Sequence, residues 1–312
     1  MFVLSQAARG AILLLVSNLP EPRSDAPLAD TDRSGSPATE PGKTGPIQGI
    51  GRYVALGDSF TEGVGDPRED GSLRGWADLT AARLAATGGG QGEDRFRYAN
   101  LSIRGKLLGQ IVDEQVDDAL AMAPDLVTFA GGGNDILRPR CDIAGLLRLK
   151  EQVVARFVDR GIGVVLFTGA DPSGHLPLGK VIRSHGDRFC EGVRAIAERR
   201  GARLVDLWSE SELSDLRYWD TDRLHLNRFG HQQVAARVLA AVGHEAPAAW
   251  TEPAEPLPDT EHPLRQEADY YRGYVLPWVQ RRLAGRSSGD ELGPKRPVLQ
   301  TYSADQALAA LL

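Results

Sequence analysis

The chain predicts an α/β fold, a parallel sheet with helices on both faces. Two observations carry that expectation. Between residues 52 and 242, short continuous apolar runs alternate with longer segments of helical periodicity. Each run is also cut off by glycine, proline or a polar turn, which holds it to strand length. A strand with one wet face alternates apolar and polar residues. A strand buried on both faces reads as an unbroken apolar run, and such burial needs a helical layer on either side. In open sheets of this kind ligands bind beyond the carboxyl ends of the strands, so residues with chemistry should follow the runs directly.

The first run, residues 52–56 (RYVAL), stops at Gly57. Residues 76–86 have helical spacing and lead to the glycines 88–90. Residues 96–100 read as the second strand, and residues 107–120 as a helix stopped by Pro124. Residues 126–130 (LVTFA) are the third strand, again ended by glycines. Residues 143–160 form a long amphipathic helix, with Gly161 suited to the left-handed cap position. The fourth strand is residues 163–167 (GVVLF), followed by a helix over 189–200 and a fifth strand over 203–207 (RLVDL). Residues 229–242 close the domain, taken as 51–243, with a helix.

The flanks differ in composition. Residues 20–46 are rich in Pro, Asp, Ser, Thr and Gly, too poor in apolar side chains to offset their ordering entropy, so residues 1–50 read as a disordered extension. Within it, Ala11 to Val16 are apolar and follow Arg9. That run is far short of the roughly 20 residues of a membrane span. It sits at the lower margin of a secretory segment and lacks a clean cleavage site. A cytoplasmic location is the reading adopted, with secretion as the alternative. Residues 244–312 form a C-terminal extension: irregular through Pro247, Pro253, Pro256, Pro258 and Pro263, then helical with Tyr270, Tyr271, Tyr274 and Trp278 on an apolar face that Pro277 interrupts. This helix either docks back on the domain or forms a homodimer contact, since aromatics favour interfaces. From Gly285 the tail is polar and reads as mobile.

Charge and cysteine content exclude several functions. A net charge of -6 and a pI near 5.6 give no electrostatic case for a nucleic-acid partner or an anionic membrane. Cys141 and Cys190 are far apart with no CxxC spacing, and the six histidines form no HExxH, so neither a metal site nor a cofactor is expected.

Four polar segments remain, and three follow strands directly: Gly57-Asp58-Ser59-Phe60, the stretch from Asn100 to Gly105, and Gly131-Gly132-Gly133-Asn134-Asp135. The fourth, Asp222-Arg223-Leu224-His225, lies between the fifth strand and the last helix. All four can meet along one sheet edge. In this order they resemble the SGNH hydrolases, also called GDSL-like esterases and lipases. RYVALGDSFTEG, YANLSIRG, AGGGND and DRLHLNRFGH are similar to that family's blocks I, II, III and V. The resemblance implies a three-layer, flavodoxin-like sandwich with a five-stranded parallel sheet, and cofactor-free hydrolysis of a small-molecule ester. Phe60 stands where the family often has leucine, a departure that bears on pocket shape.

The expected roles follow from the chemistry. A serine hydroxyl is a weak nucleophile, so Ser59 needs a base; His225 supplies it, and Asp222 fixes the ring's tautomer. The oxyanion formed on an ester carbonyl needs donors already aimed at it, for which the N–H groups of Ser59 and Gly105 and the amide of Asn134 are candidates. Phe60 and Arg104 are candidates to touch substrate, although an arginine at such a place is commonly paired to a carboxylate. Competing readings are plain. Ser59 can be a helix cap, Asn134 a loop bridge and His231 a rival base, while Asp58 and Asp135 suit loop fastening. Gly285-Arg286-Ser287-Ser288-Gly289 matches GxSxG but lacks the strand and helix that such an elbow requires. At the level of function, an acyltransferase or deacetylase shares the same machinery. A non-catalytic binding protein on this fold is the alternative from another class, as is a phosphate binder, against which Asp58 speaks.

Overall fold

The structure, a computed structural model, describes residues 47, 49–88, 96–138, 140–176, 179–210, 212–256, 267, 269–277, 280 and 287–302. The apolar stretch after Arg9 and most of the N-terminal extension lie outside the described residues, as does Trp278.

Five parallel strands run as the apolar runs predict: β1 (Arg52–Leu56), β2 (Arg97–Asn100), β3 (Leu126–Phe129), β4 (Gly163–Phe167) and β5 (Arg203–Val205). Their order is β5-β4-β3-β1-β2, with Tyr53 of β1 opposite Tyr98 on one side and Leu126 on the other. The chain thus starts near the middle of the sheet, goes one way, and reverses, leaving a switch point between β1 and β3 where the connections part.

The sheet has a sixth strand, which corrects the five-stranded expectation. β6 (Arg296–Thr301) pairs antiparallel with β2, beyond the parallel set. It lies in the tail that composition marks as mobile. The reason it escapes notice is physical: RPVLQT exposes most of its side chains, so it is held by main-chain hydrogen bonds and carries no buried apolar pattern.

Helices cover both faces, and the alternation of side chains along each strand divides the core between them. Tyr53, Ala55, Tyr98, Val165 and Phe167 face α2 (Gly75–Gly88) and α8 (Arg228–Val242). Val54, Leu56, Ala99, Val127, Phe129 and Leu166 face the other layer, made of α3 (Leu108–Ile111), α4 (Asp117–Ala121), α6 (Ile143–Val158) and α7 (Gly179–Arg200). Two short helices, α1 (Ser59–Glu62) and α5 (Gly133–Ile136), open directly after β1 and β3. Ile47 precedes the expected domain start, yet its N–H donates to Val242 O at 3.1 Å.

Two helices depart from their expected bounds. The segment 107–120 is broken by a π-helical turn, Val112–Val116, which turns Gln115 inward. α7 begins ten residues before Phe189, because its first turns are polar and carry Gly186, whose missing side chain leaves room for the Trp208 ring. Among the described residues no helix is long and apolar enough to cross a membrane.

Leu166 is wholly buried at the centre of β4. Leu166→Ala is expected to cost about 2–5 kcal/mol through lost transfer energy and a residual cavity. Urea unfolding should show the midpoint falling at an unchanged slope.

Candidate active site

The carboxyl edge of the sheet collects the four polar segments. β1 ends at Leu56, and Gly57 is clamped from both sides by Gln115, which accepts from its N–H and donates to its C=O, each at 2.9 Å. Asp58 then caps α1 by accepting from Phe60 N–H at 3.1 Å, and Ser59 becomes the first residue of that helix. At this position its N–H has no carbonyl one turn earlier to bind.

Ser59 Oγ lies 3.0 Å from His225 Nε2, and His225 Nδ1 lies 2.5 Å from Asp222 Oδ2. A neutral ring that donates Nδ1–H to the carboxylate leaves Nε2 free to accept the serine proton. The turn carrying this pair is tight. Arg223 adopts φ +56°, unusual for a non-glycine residue, while Asp222 Oδ1 accepts from both Leu224 N–H (2.9 Å) and His225 N–H (3.0 Å). Burial works to raise the Asp222 carboxyl, but hydrogen bonds and charge from His225 outweigh it and hold the group below the usual carboxylate range. Arg223 is engaged from outside: its guanidinium stacks 4.1 Å over Tyr270 and pairs with Glu267 at 2.6 Å. Tyr274 Oη sits 2.9 Å from Thr221 Oγ1. The aromatic stretch, here the π-helical turn Tyr271–Val275 with Tyr270 before it, therefore packs on the back of the Asp222–His225 turn.

Asn134 is on α5, after β3. Its Nδ2 donates to Asp58 Oδ2 at 3.2 Å and to Lys106 O at 3.1 Å. The amide is thereby aimed between the α1 turn and the loop after β2. Burial pushes Asp58 up to about 6. Asp135 accepts from Leu108 N–H at 3.0 Å, the loop-fastening position expected of it. Gly105 has φ +77°, a backbone conformation that favours glycine, and a Cβ there would also displace Ser287 Oγ.

Ser59, Phe60, Asn134 and His225 line one cavity, whose remaining wall is largely aromatic and aliphatic: Phe167, Phe189, Trp208, Trp219 and Leu137 contribute. Gly105 is not among the lining residues, but its neighbour Lys106 accepts from Asn134 Nδ2 through its carbonyl. Arg104 faces elsewhere. Its guanidinium and its N–H are both held by Glu62, at 2.5–3.1 Å, so it is placed as an ion-pair partner and not as a wall of the cavity. Among the described residues no group of three or more His, Cys, Asp or Glu could hold a metal ion.

His231, the rival base, is wholly buried six residues past His225. Its Nδ1 accepts from Trp76 N–H at 3.2 Å and its Nε2 donates to Val64 O at 3.1 Å. Burial pushes it down to about 4, so it is a neutral strut between α2, α8 and the loop after α1. Gln115, Glu62 and the Trp208–Trp219 wall went unnoticed in the sequence. Only Gln115 left a trace, as a polar residue at a helical position that pattern assigns to the core.

The chain matches the GDSL-like lipase/acylhydrolase family over residues 55–233, more than half of its length, and belongs to that family. It is thereby a carboxylic ester hydrolase in class. Among solved structures it is similar to LAE5, an alpha/beta hydrolase enzyme from the metagenome of Lake Arreo, at 25% identity and a TM-score of 0.50, covering 62% of this chain and 95% of that one. It is also similar to the acetylxylan esterase Axe2 of Geobacillus stearothermophilus (20% identity, TM-score 0.50, covering 67% of this chain and 99% of that one). A catalytic mutant of the same enzyme gives a TM-score of 0.52 at 20% identity, covering 64% and 96%. No curated protein matches.

His231 makes a testable statement about pH. Its folded pKa, about 4, lies below the roughly 6.5 of an unfolded histidine, so stability from this residue is lost as pH falls across that interval. The ceiling is on the order of 3 kcal/mol. Asp58, raised to about 6, acts oppositely, since the folded state takes up its proton first. Comparing wild type with His231→Gln separates the two. The Tm advantage of wild type should be largest near pH 7 and shrink toward pH 4.5; a constant difference contradicts the assignment.

Proposed function

We propose that the chain hydrolyses a neutral carboxylic ester through an acyl-enzyme on Ser59, with His225 as general base and acid and Asp222 as its orienting partner. The observation that carries this reading is the continuous line from Asp222 through His225 to Ser59, at 2.5 and 3.0 Å. Ser59 Oγ attacks the ester carbonyl as its proton passes to His225 Nε2. The tetrahedral intermediate collapses, the bond to the leaving alcohol breaks, and that alcohol takes the proton back from His225. Water then repeats the sequence on the acyl-serine: His225 accepts its proton, the acid departs, and Ser59 is restored. The imidazolium formed in each half is stabilised by the Asp222 carboxylate.

The negative charge on the carbonyl oxygen is assigned to the N–H groups of Ser59 and Gly105 and to Asn134 Nδ2. Asn134 already uses both amide hydrogens, on Asp58 and on Lys106. The oxyanion therefore competes for one of them, and the longer bond, to Asp58, is the one to give way. Phe60 is assigned to the wall of the acyl or alcohol subsite. The aromatic and aliphatic lining favours an uncharged substrate over a phosphate or carboxylate-bearing one. Acetylxylan, the substrate in the name of Axe2, is one to include in a substrate panel. Cys141 and Cys190 are both free, which supports the cytoplasmic reading.

Activated esters of rising acyl length provide the test. Ser59→Ala should abolish turnover and labelling by a fluorophosphonate while leaving the fold intact. Asn134→Ala should lower kcat by about 10²–10³-fold, the usual loss for one oxyanion donor. Asp222→Asn should lower it by about 10⁴-fold through the wrong imidazole tautomer. Wild-type rates in Ser59→Ala would overturn the reading.

A further inference from the structure

The oxyanion donors assigned above come from two separate elements, α1 and the loop after β2. Their relative placement is therefore a structural problem in its own right. The residues that join them are on the page. Glu62, the last residue of α1, holds Arg104 by its N–H (2.7 Å), Nε (3.0 and 3.1 Å) and guanidinium (2.5 Å), and Arg104 is next to Gly105. Glu62 is in turn held by its main chain. Lys295 Nζ donates to Glu62 O at 2.6 Å, and also to Arg74 O (2.8 Å), Leu73 O (3.3 Å) and Asp78 Oδ2 (3.0 Å). The ammonium thus ties the C-terminal carbonyl end of the serine helix to the entry and first turn of α2.

Lys295 comes from far along the chain, beyond the family match, and directly precedes β6. The same segment touches the oxyanion loop at a second point. Ser287 and Ser288 pack on Gly105, and Gly289 lies so close to Arg104 O that a Cβ there would collide with it. β6 then pairs with β2, Arg296 opposite Asn100, at the root of that loop. One C-terminal strap therefore grips both α1 and the loop at residues 104–105.

We propose that Lys295 is a positioning residue for the ester hydrolysis: through Glu62 and Arg104, the strap it anchors sets the distance between the Ser59 and Gly105 oxyanion donors. The inference rests on the ester-hydrolase reading and extends it to a residue that never meets substrate. Its signature is a loss in kcat at nearly constant KM, because ground-state binding in the cavity does not use the oxyanion donors while the transition state does.

The test measures activated-ester kinetics on the full chain, with rates normalised to active sites titrated by a fluorophosphonate. Lys295→Met is expected to lower kcat per titrated site by about 10-fold or more, the scale on which small misplacements act, with KM within about threefold. Glu62→Gln should do likewise, and the double variant should lose little beyond the worse single one, since both cut the same connection. A Lys295→Met protein with a lowered Tm and wild-type kcat per site would show a merely structural lysine and overturn the proposal, as would fully additive losses. If Lys295→Met does not accumulate as folded protein, Gly289→Ala carries the test. Its methyl group would push the strap off Arg104, and wild-type kcat in that variant would equally overturn the proposal. An inert wild type would instead fail the ester-hydrolase reading, so the two failures are distinguishable.

Discussion

The hydrogen bond between Ser59 and His225 spans 166 residues of sequence, and everything else in the molecule serves to make that distance 3.0 Å. A parallel sheet solves the problem because every strand ends on the same side. The turn after β1, the loop after β2, the helix start after β3 and the approach to α8 are all delivered to one edge without any long excursion. The cost is that these loops have little secondary structure of their own. They are fastened individually: Gln115 on Gly57, Asp135 on Leu108 N–H, Glu62 on Arg104, and Asp222 on the two N–H groups that follow it. The fasteners are polar, buried in whole or part, and satisfied, which is the condition under which buried polar groups order a site.

Environment, not residue type, separates the two histidines of the last motif. His225 has a carboxylate on one nitrogen and a hydroxyl on the other, within reach of the cavity. His231 has a backbone donor on one nitrogen and a backbone acceptor on the other, and is wholly buried. The first arrangement can exchange a proton with a reacting group; the second is saturated. A similar contrast holds for the lysines. Lys150 is buried with its Nζ 4.2 Å from the Phe129 ring centroid, and burial pushes it down to about 8. Lys295 has four oxygen partners and anchors the strap.

Much of the architecture was legible because the five parallel strands are apolar along their length and the glycines that end them are where chain direction changes. Ser59 was legible in a motif directly after a strand, and Asp222 and His225 in one between the fifth strand and the last helix. What pattern could not show is informative. The π-helical turn is a local insertion that leaves helical periodicity nearly intact, so spacing shows Gln115 only as a polar residue at a core position and not as the clamp on Gly57. The first ten residues of α7 are mostly polar and contain glycine, and only the Trp208 ring, remote in sequence, explains why Gly186 belongs there. An arginine placed like Arg104 is more often paired to a carboxylate than set on substrate, but its partner Glu62 lies 42 residues earlier, a pairing that depends on β1 and β2 being neighbours. Ser287, Ser288 and Gly289, the described part of the GxSxG string, rest on the loop at residues 104–105, a contact that composition could not suggest.

The sixth strand has a consequence for the molecule in a crowded solution. Without it, β2 would present a row of unpaired N–H and C=O groups, a template on which another chain's strand could assemble. β6 occupies that row and becomes the new border. The strand includes Pro297, which has no N–H to offer, while the Arg296 guanidinium lies over the Tyr98 and Tyr302 rings. The border that replaces β2 thus has one ladder donor fewer to offer a further strand.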